Sequence, residues 1–461
     1  MEGIRNSFNR KIRVLSSITI QLQLLALATL TGCDLLPRSH SPSSADYCDV
    51  ESPVATDPNE ITLTVWASAP RQHCLRLYAP YFAAEEVAGV SVLPVEMNLN
   101  SKPYEEAVFD AVHNGEAPDI AFVYDKTALK LSKAGVLYPL NQCGLPTKDW
   151  LSETFRISEW ALPFEADIQL LFYSKIILRK LGWSEERIQN FPEYTGNGTI
   201  TLNDLLAISQ EALDSELVRK GFGLAIHDTR FQTIMHFYQQ FDNSYSLNVP
   251  LAIDKESMSE ALKLFKVAFD SNTSHRTFGQ EEYSNISNRL SVRDALAHGR
   301  ILFSHSPTSE WTRMLLDHVS DETLLSHNIG IALFPPIKRN QPGTAILRSV
   351  GSYVIFNHSA TNKHNQNVSC LVLNALKNTE IDRIHAFRTN QITPTNNTIW
   401  TPASIPEITI DTLRASGLAR PAYEYYRKKI VDAVAQLSRK ELSVEQAATF
   451  ASREPIESER P

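Results

Sequence analysis

The sequence predicts an α/β protein built on a doubly wound parallel sheet. Three observations carry this: a β-branched run at Ile61–Trp66 with alternating faces, a second strand pattern at Val90–Met97, and an apolar run at Asp119–Tyr124, with helical patterns between them. The first helix is expected from about His73 to Glu86, and the second over Tyr104–Val112, stopping near Asn114-Gly115. The Asp119–Tyr124 run is too apolar for a half-exposed strand and is expected to be buried on both faces. Ligands of such sheets sit beyond the carboxyl ends of the strands, which places Trp66, Tyr124 and Asp125 at one rim.

Later segments carry packing signals. Thr201-Leu202-Asn203-Asp204 reads as a helix start, with Leu202, Leu205, Leu206 and Leu213 on one face. Ser257-Met258-Ser259-Glu260 reads as a capping box opening a helix whose stripe is Met258, Ala261, Leu262, Phe265 and Phe269. No phosphate-cradling glycine loop and no repeat of solenoid period is found in the 461 residues.

The first 33 residues follow the order of an export signal. Arg5, Arg10, Lys11 and Arg13 form a basic start, Val14 to Leu30 a mostly apolar run, and Leu30-Thr31-Gly32-Cys33 a small-residue close. Gln21 and Gln23 interrupt the run, which lies at the short end for a spanning helix of about 20 residues; a retained transmembrane anchor is the alternative. The segment resembles the lipobox of bacterial lipoproteins. That resemblance implies a signal peptide over residues 1–32, lipidation of Cys33, and, from Asp34, retention at the periplasmic side of the cytoplasmic membrane. Residues 33–57, rich in Pro, Ser and Asp, suit a flexible tether.

Removing residues 1–32 takes away four basic residues and one acidic one and moves the formal charge from −8 to −11. An acidic surface without a Lys/Arg block argues against nucleic acid as a partner. With 43% hydrophobic residues and no second long apolar run, the remainder reads as a soluble body of two large lobes. Cys48, Cys74, Cys143 and Cys370 remain, an even number that permits two disulfides in three pairings. Cys74 and Cys370, inside apolar helical stretches, are alternatively buried thiols. No cysteine or histidine has metal-ligand spacing: the histidines look scattered, without HExxH, and no GxSxG elbow occurs. No cofactor is expected.

Six segments, in order, resemble the extracellular solute-binding proteins of ABC importers, in particular the group that includes maltodextrin-binding protein. They are ITLTVW at 61–66; GEAPDIAFVYD followed by AGVLYPL within 114–140; ALPFEADIQLLFYSK at 161–175; HGRILFSHSPTSEW within 297–311; VGSYVIF at 350–356; and ELSVEQAATFA at 441–451. Departures exist: Tyr173-Ser174-Lys175 stands where many members have Tyr-Asn-Lys, and Ser271 to Asn288 matches nothing. The resemblance implies two doubly wound α/β lobes joined by crossing strands around a ligand cleft, in a monomer that hands its solute to permease subunits. It implies an N-terminal lobe from 58–165 plus 334–395, a C-terminal lobe from 166–333 plus 396–455, and a tail at 456–461. All four cysteines would then lie in or beside the first lobe, with Cys48 expected to pair with Cys143 and Cys74 with Cys370.

A sugar needs aromatic plates plus groups that accept hydroxyl hydrogen bonds. Trp66 and Trp311 are candidate stacking residues, each with burial in a lobe as the alternative. Asp125 is a candidate acid or a helix N-cap, and Tyr124 lies beside it. Glu165 and Asp167 lie in the first crossing, where the resemblance implies a ligand-contacting acid. The small residues Gly351 and Ser352 would let backbone amides approach a ligand. Trp400 and Arg420 complete the set. A polyamine or organic anion on the same fold, and an anchored glycoside hydrolase using Glu165 and Asp167, are the rival readings. Against the hydrolase stand an opposed orientation of the two carboxylates along an extended segment and the lack of a distant partner.

Overall fold

The computed structural model describes residues 61–68, 73–96, 103–145, 159–219, 222–226, 230–241, 253–270, 274–275, 292–317, 322–357, 363–376, 385, 389, 391, 393–395, 398–400, 413–415 and 423–454. Cys33, Asp34, Cys48 and Arg420 lie outside them, as does nearly all of Ser271 to Asn288.

The strands are β1 Ile61–Ala67, β2 Val90–Glu96, β3 Ile120–Tyr124, β4 Leu162–Ser174, β5 Leu224–Ile226, β6 Ser274–His275, β7 Phe303–Pro307, β8 Ile329–Ala332, β9 Ala345–Ile355, β10 Thr393–Thr395, β11 Thr398–Trp400 and β12 Leu413–Ala415. The helices up to β5 are α1 Leu75–Ala84, α2 Tyr104–Asn114, α3 Asp125–Lys133, α4 Lys175–Lys180, α5 Glu185–Gln189, α6 Phe191–Gly196 and α7 Leu202–Asp214. Beyond it come α8 Arg230–Phe241, α9 Lys255–Asp270, α10 Val292–Ala297, α11 Ser309–Asp317, α12 Glu322–Asn328, α13 Lys363–Leu376, α14 Tyr423–Ser438 and α15 Val444–Ala451.

Ten strands form one sheet whose main path is β2-β1-β3-β9-β4-β7-β5-β6. Its two ends are parallel, as βαβ alternation requires: β1 pairs with β2 and β3, and β5 with β6 and β7. Its middle is antiparallel, because the long strands β4 and β9 run against each other and against β7 and β3. The expected parallel sheet is therefore two parallel arms joined by an antiparallel crossing pair.

Local choices follow the sequence closely. β3 is buried up to its last residue, as its composition demands. Gly115 ends α2 at φ 75°, a left-handed position that glycine takes without steric cost. Thr201 and Asp204 form a reciprocal capping box at the start of α7. One start is shifted: α9 begins at Lys255, and the Asp254 carboxylate accepts from Ser257 N at 2.7 Å, so the cap is Asp254 and not Ser257. Met258, Ala261, Leu262 and Phe265 are buried as expected.

Three apolar clusters fill the molecule. One, around Leu63, Val65, Phe122, Phe164, Tyr353 and Val372, sits between the first arm and α1 and α13. Another, around Leu171, Tyr173, Phe191, Phe303, Phe237 and Ile430, packs the helices of the second arm. The third runs through the crossing, from Ala121 and Val123 through Ala166, Ile168 and Leu170 to Trp311 and Ile331. Asp119 pins the first arm: its carboxylate accepts from Thr64 N at 2.8 Å, Thr64 Oγ1 at 2.9 Å and Asn365 Nδ2 at 3.0 Å.

The disulfides differ from the expected pairing. Cys143 is bonded to Cys370, which ties the 3-10 turn Leu140–Cys143 to α13 across 227 residues of sequence. Cys74 is also disulfide-bonded, to a residue outside the described set, so neither it nor Cys370 is a free buried thiol. Sequence separation says nothing about distance here, because β9 returns the chain to the first arm and brings α13 beside the turn. Replacing Cys143 and Cys370 together by serine should lower stability by about 2–5 kcal/mol, measured by urea unfolding under non-reducing conditions. An unchanged midpoint would mean that the crosslink adds nothing to the folded state.

Candidate functional site

The crossing strands hold the polar interior. On β4, Ala166, Ile168, Leu170 and Phe172 all enter the cluster that runs through the crossing. Glu165, Asp167 and Gln169 alternate with them and share the other face, all buried, before Leu171 and Tyr173 enter the second-arm cluster. Two register shifts frame this stretch: Phe164 is an extra residue on β4, and Arg348 an extra residue on β9. Glu165 and Asp167 therefore point the same way, not apart, since residues two apart on a strand share a face.

Glu165 is fully enclosed. Arg76 on α1 donates to it through Nε at 3.0 Å and through Nη2 at 2.5 Å. His385 Nε2 lies 2.5 Å from Oε2, and Gln391 Nε2 donates to Oε1 at 3.5 Å. Burial alone would raise the Glu165 carboxyl, but the Arg76 guanidinium and then His385 hold it well below the usual carboxylate range. Burial and the Arg76 charge lower the neighbouring His73 imidazole to about 2, so it is neutral. Arg76 also stands over the rings of Phe122 and Tyr124, and Tyr353 Oη donates to the Arg76 carbonyl at 2.9 Å.

His73, Glu165 and His385 place ligand atoms within 4.8 Å of one another. A metal fits this trio poorly, because Arg76 already neutralises the carboxylate and a divalent ion beside it would bury uncompensated positive charge. The same geometry removes Glu165 as a general acid: it is held as an anion with both oxygens bonded.

Asp167, on the crossing strand β4, and Asp125, at the end of the first arm, both lie at the crossing. Asp167 accepts from Thr308 Oγ1 at 3.2 Å and from Ser309 Oγ at 3.3 Å, and Ser309 N lies 3.5 Å away at the start of α11, where a helix favours an anion. Asp125 opens α3, and its Oδ1 accepts from Val350 N at 3.3 Å. Val350 adjoins Ser349, the register partner of Asp167. The second oxygen of Asp125 is buried without a hydrogen-bond partner; so are both amide atoms of Gln169, Trp311 Nε1 and Ser352 Oγ. Burial raises the Asp125 carboxyl to about 7.

A second polar chain continues into the other arm. Thr233 Oγ1 and His305 Nδ1 are 3.0 Å apart, His305 Nε2 and His236 Nδ1 3.2 Å, and His236 Nε2 and Thr344 Oγ1 2.6 Å. Burial lowers the His305 imidazole to about 3, so that ring is neutral and donates through one nitrogen while accepting at the other. Histidines that look scattered in sequence thus assemble twice, once around Glu165 and once between α8 and β7.

Other candidates are placed as follows. Trp66 is half-buried against the crossing cluster, and its carbonyl accepts from Tyr104 Oη at 3.0 Å. Trp311 is buried in the same cluster. Tyr124 pairs with Gly351 across β3 and β9 and lies beside Arg76. A Cβ on Gly351 would stand 2.2 Å from Phe122 and 2.8 Å from Glu165, so the space its smallness leaves is taken by those side chains. Ser352 is buried opposite Val123. The Trp400 backbone pairs with Thr393 in the β10–β11 ladder, and β10 lies against β4. Sequence reasoning missed Arg76, Gln169, Thr308, Ser309, His385 and Gln391. Only Gln169 had a local signal, as the third polar residue in the period-two series Glu165, Asp167, Gln169.

No family model matches the chain, and no curated protein matches its sequence. Solved structures do match its fold. The GacH receptor of Streptomyces glaucescens, solved unliganded and in complex with acarbose, has a TM-score of 0.61 at 16% identity, over 85% of this chain and 96% of that one. The sugar-binding protein MalE from Xanthomonas citri has a TM-score of 0.64 at 14% identity, over 85% and 95%. An ABC transporter solute binding protein from Thermotoga lettingae, bound with alpha-D-tagatose, has a TM-score of 0.58 at 17% identity, over 85% and 97%. The chain has the two-lobed α/β fold of solute-binding proteins.

The raised Asp125 carboxyl has a sign that can be tested. It sits at about 7 in the folded protein, against roughly 3.9 in an unfolded chain. Between those values the folded state holds a proton that the unfolded state releases, so the contribution of Asp125 to stability falls as pH rises from 4 through 7. Asp125→Asn should therefore gain stability relative to the wild type between pH 5 and pH 8 in urea unfolding. A difference between the two proteins that is the same at both pH values would show that Asp125 titrates as an ordinary carboxyl.

Proposed function

We propose that this chain is an extracytoplasmic receptor that captures a carbohydrate between its two lobes and delivers it to the permease of an ABC importer. The observation that supports this best is that two buried carboxylates, Asp167 on the crossing strand β4 and Asp125 at the end of the first arm, lie at adjacent residues of β9, Ser349 and Val350. Carboxylates and the Gln169 amide suit sugar hydroxyls. The fold neighbours add weight, since the Thermotoga protein is bound with alpha-D-tagatose and GacH with acarbose. A solute touching groups from both arms stabilises the arrangement that brings them together, which is how binding drives closure.

In this reading residues 1–32 are removed, Cys33 carries lipid, and the tether keeps the receptor near its permease on the periplasmic side of the cytoplasmic membrane. Asp34 adds the inner-membrane preference. Among the described residues the arginine at the crossing, Arg76, is committed to Glu165, which weighs against an organic anion; a polyamine is the second reading, supported by the two carboxylates.

A thermal-shift screen over sugars, polyamines and organic acids separates these readings, because a ligand at about 100 times its Kd stabilises by about 2.7 kcal/mol. A sugar should raise the melting temperature, and Asp167→Asn should weaken that sugar at least tenfold. Stabilisation by an amine with no response to any sugar would refute the carbohydrate reading. For the anchor, Cys33→Ser should move the protein from the membrane to the soluble fraction or leave it unprocessed; unchanged membrane recovery at mature size would rule out lipid at Cys33.

A further inference from the structure

Cys74 carries a disulfide whose partner lies outside the described residues. The chain has five cysteines, and Cys143 and Cys370 are bonded to each other, so that partner is Cys33 or Cys48, both upstream of β1. Cys74 itself is held in place. It is buried, it is the N-cap residue of α1, and its carbonyl accepts from Leu77 N at 2.9 Å and from Tyr78 N at 3.1 Å. The first turn of α1 is fixed further by Tyr353 Oη, which donates to the Arg76 carbonyl at 2.9 Å, and by the Arg76–Glu165 pair.

We propose that Cys74 is bonded to Cys48, and that this crosslink staples the tether to the start of α1. The choice between the two cysteines rests on the anchor reading above: a sulfur that carries lipid cannot also form a disulfide, which reserves Cys33 and leaves Cys48. Closing the bond converts two thiols to one disulfide. The two electrons and two protons pass to a disulfide-carrying oxidoreductase of the oxidising compartment, which leaves as its dithiol. The staple moves the point at which the anchor grips the folded body. Along the backbone alone the tether would join that body at Ile61, the first residue of β1. Cys74 instead starts the helix that follows the other end of that strand, which is about 20 Å long. Because β1 and β3 are parallel, that end is also the rim of Tyr124, over whose ring Arg76 stands. Between Cys33 and the body the connecting chain shortens from residues 34–60 to residues 34–47, and its longest possible reach falls from about 90 Å to about 50 Å.

Peptide mapping of the full chain, taken from both membrane and soluble fractions, tests this. The protein is denatured without reductant, its free thiols are blocked with N-ethylmaleimide, and it is digested with trypsin and analysed by mass spectrometry. Cleavage after Arg38, Arg71 and Arg76 places Cys48 in peptide 39–71 and Cys74 in peptide 72–76. These two should appear as one crosslinked species that separates on reduction. Peptide 72–76 joined to a peptide bearing Cys33 overturns the staple, and so does N-ethylmaleimide on Cys48 or Cys74. The expected crosslink on a chain whose Cys33 carries no lipid upholds the staple and refutes the anchor reading alone.

Discussion

The antiparallel pairing of β4 with β9 is the constraint on which the rest depends. Each parallel arm can satisfy its own backbone through βαβ turns, but only these two long strands carry one sheet from arm to arm. Residues on the two strands therefore belong to both arms at once. One face of β4 is covered by a cluster that passes through the crossing without a break. The other face changes from the first apolar cluster to the second, and the change is made of Glu165, Asp167 and Gln169. Polar residues gather where neither arm supplies an apolar cover.

Burying three such groups in a row has a physical cost that the structure meets unequally. An enclosed carboxylate is tolerable only when paired and hydrogen-bonded, and Glu165 receives Arg76, His385 and Gln391. Gly351 belongs to the same solution, since a side chain there would occupy the volume of Phe122 and Glu165. Asp167 is met by neutral donors at a helix start, and Gln169 by no protein group at all. Pairing thus falls along a single strand, from Glu165 with both oxygens bonded to Gln169 with neither amide atom bonded.

Much of the fold was legible because its signals are local. The alternation in Ile61–Trp66, the apolar Asp119–Tyr124 run and the Thr201/Asp204 box each depend on neighbours within a few positions, and each element formed where expected. The site was legible by composition and not by partnership. Asp125, Asp167 and Trp311 are residue types suited to binding and do lie at the crossing, but the role of Glu165 depends on Arg76 and His385, 89 and 220 residues away. No period or cap encodes such distances. The cysteines show the same limit: four sulfurs in one region leave three pairings open, and the observed Cys143–Cys370 bond follows from where β9 returns the chain.

The two histidine assemblies show what neutral imidazoles contribute in such an interior. His73 and His305 are both held far below the ordinary histidine range by burial, so neither adds charge to a region that already contains Arg76, Glu165, Asp125 and Asp167. His305 and His236 link Thr233 to Thr344 in one hydrogen-bonded chain. Thr344 stands at the entry to β9, so that chain fixes α8 and β7 against the strand that crosses back. The crossing is thereby braced at both ends by polar contacts: the Arg76–Glu165 ion pair in the first arm and the hydrogen-bonded His305–His236 pair in the second. Between those braces Asp125 Oδ2, both amide atoms of Gln169 and Trp311 Nε1 are buried without a hydrogen-bond partner, and burying such groups unpaired costs stability that the braces on either side help to offset.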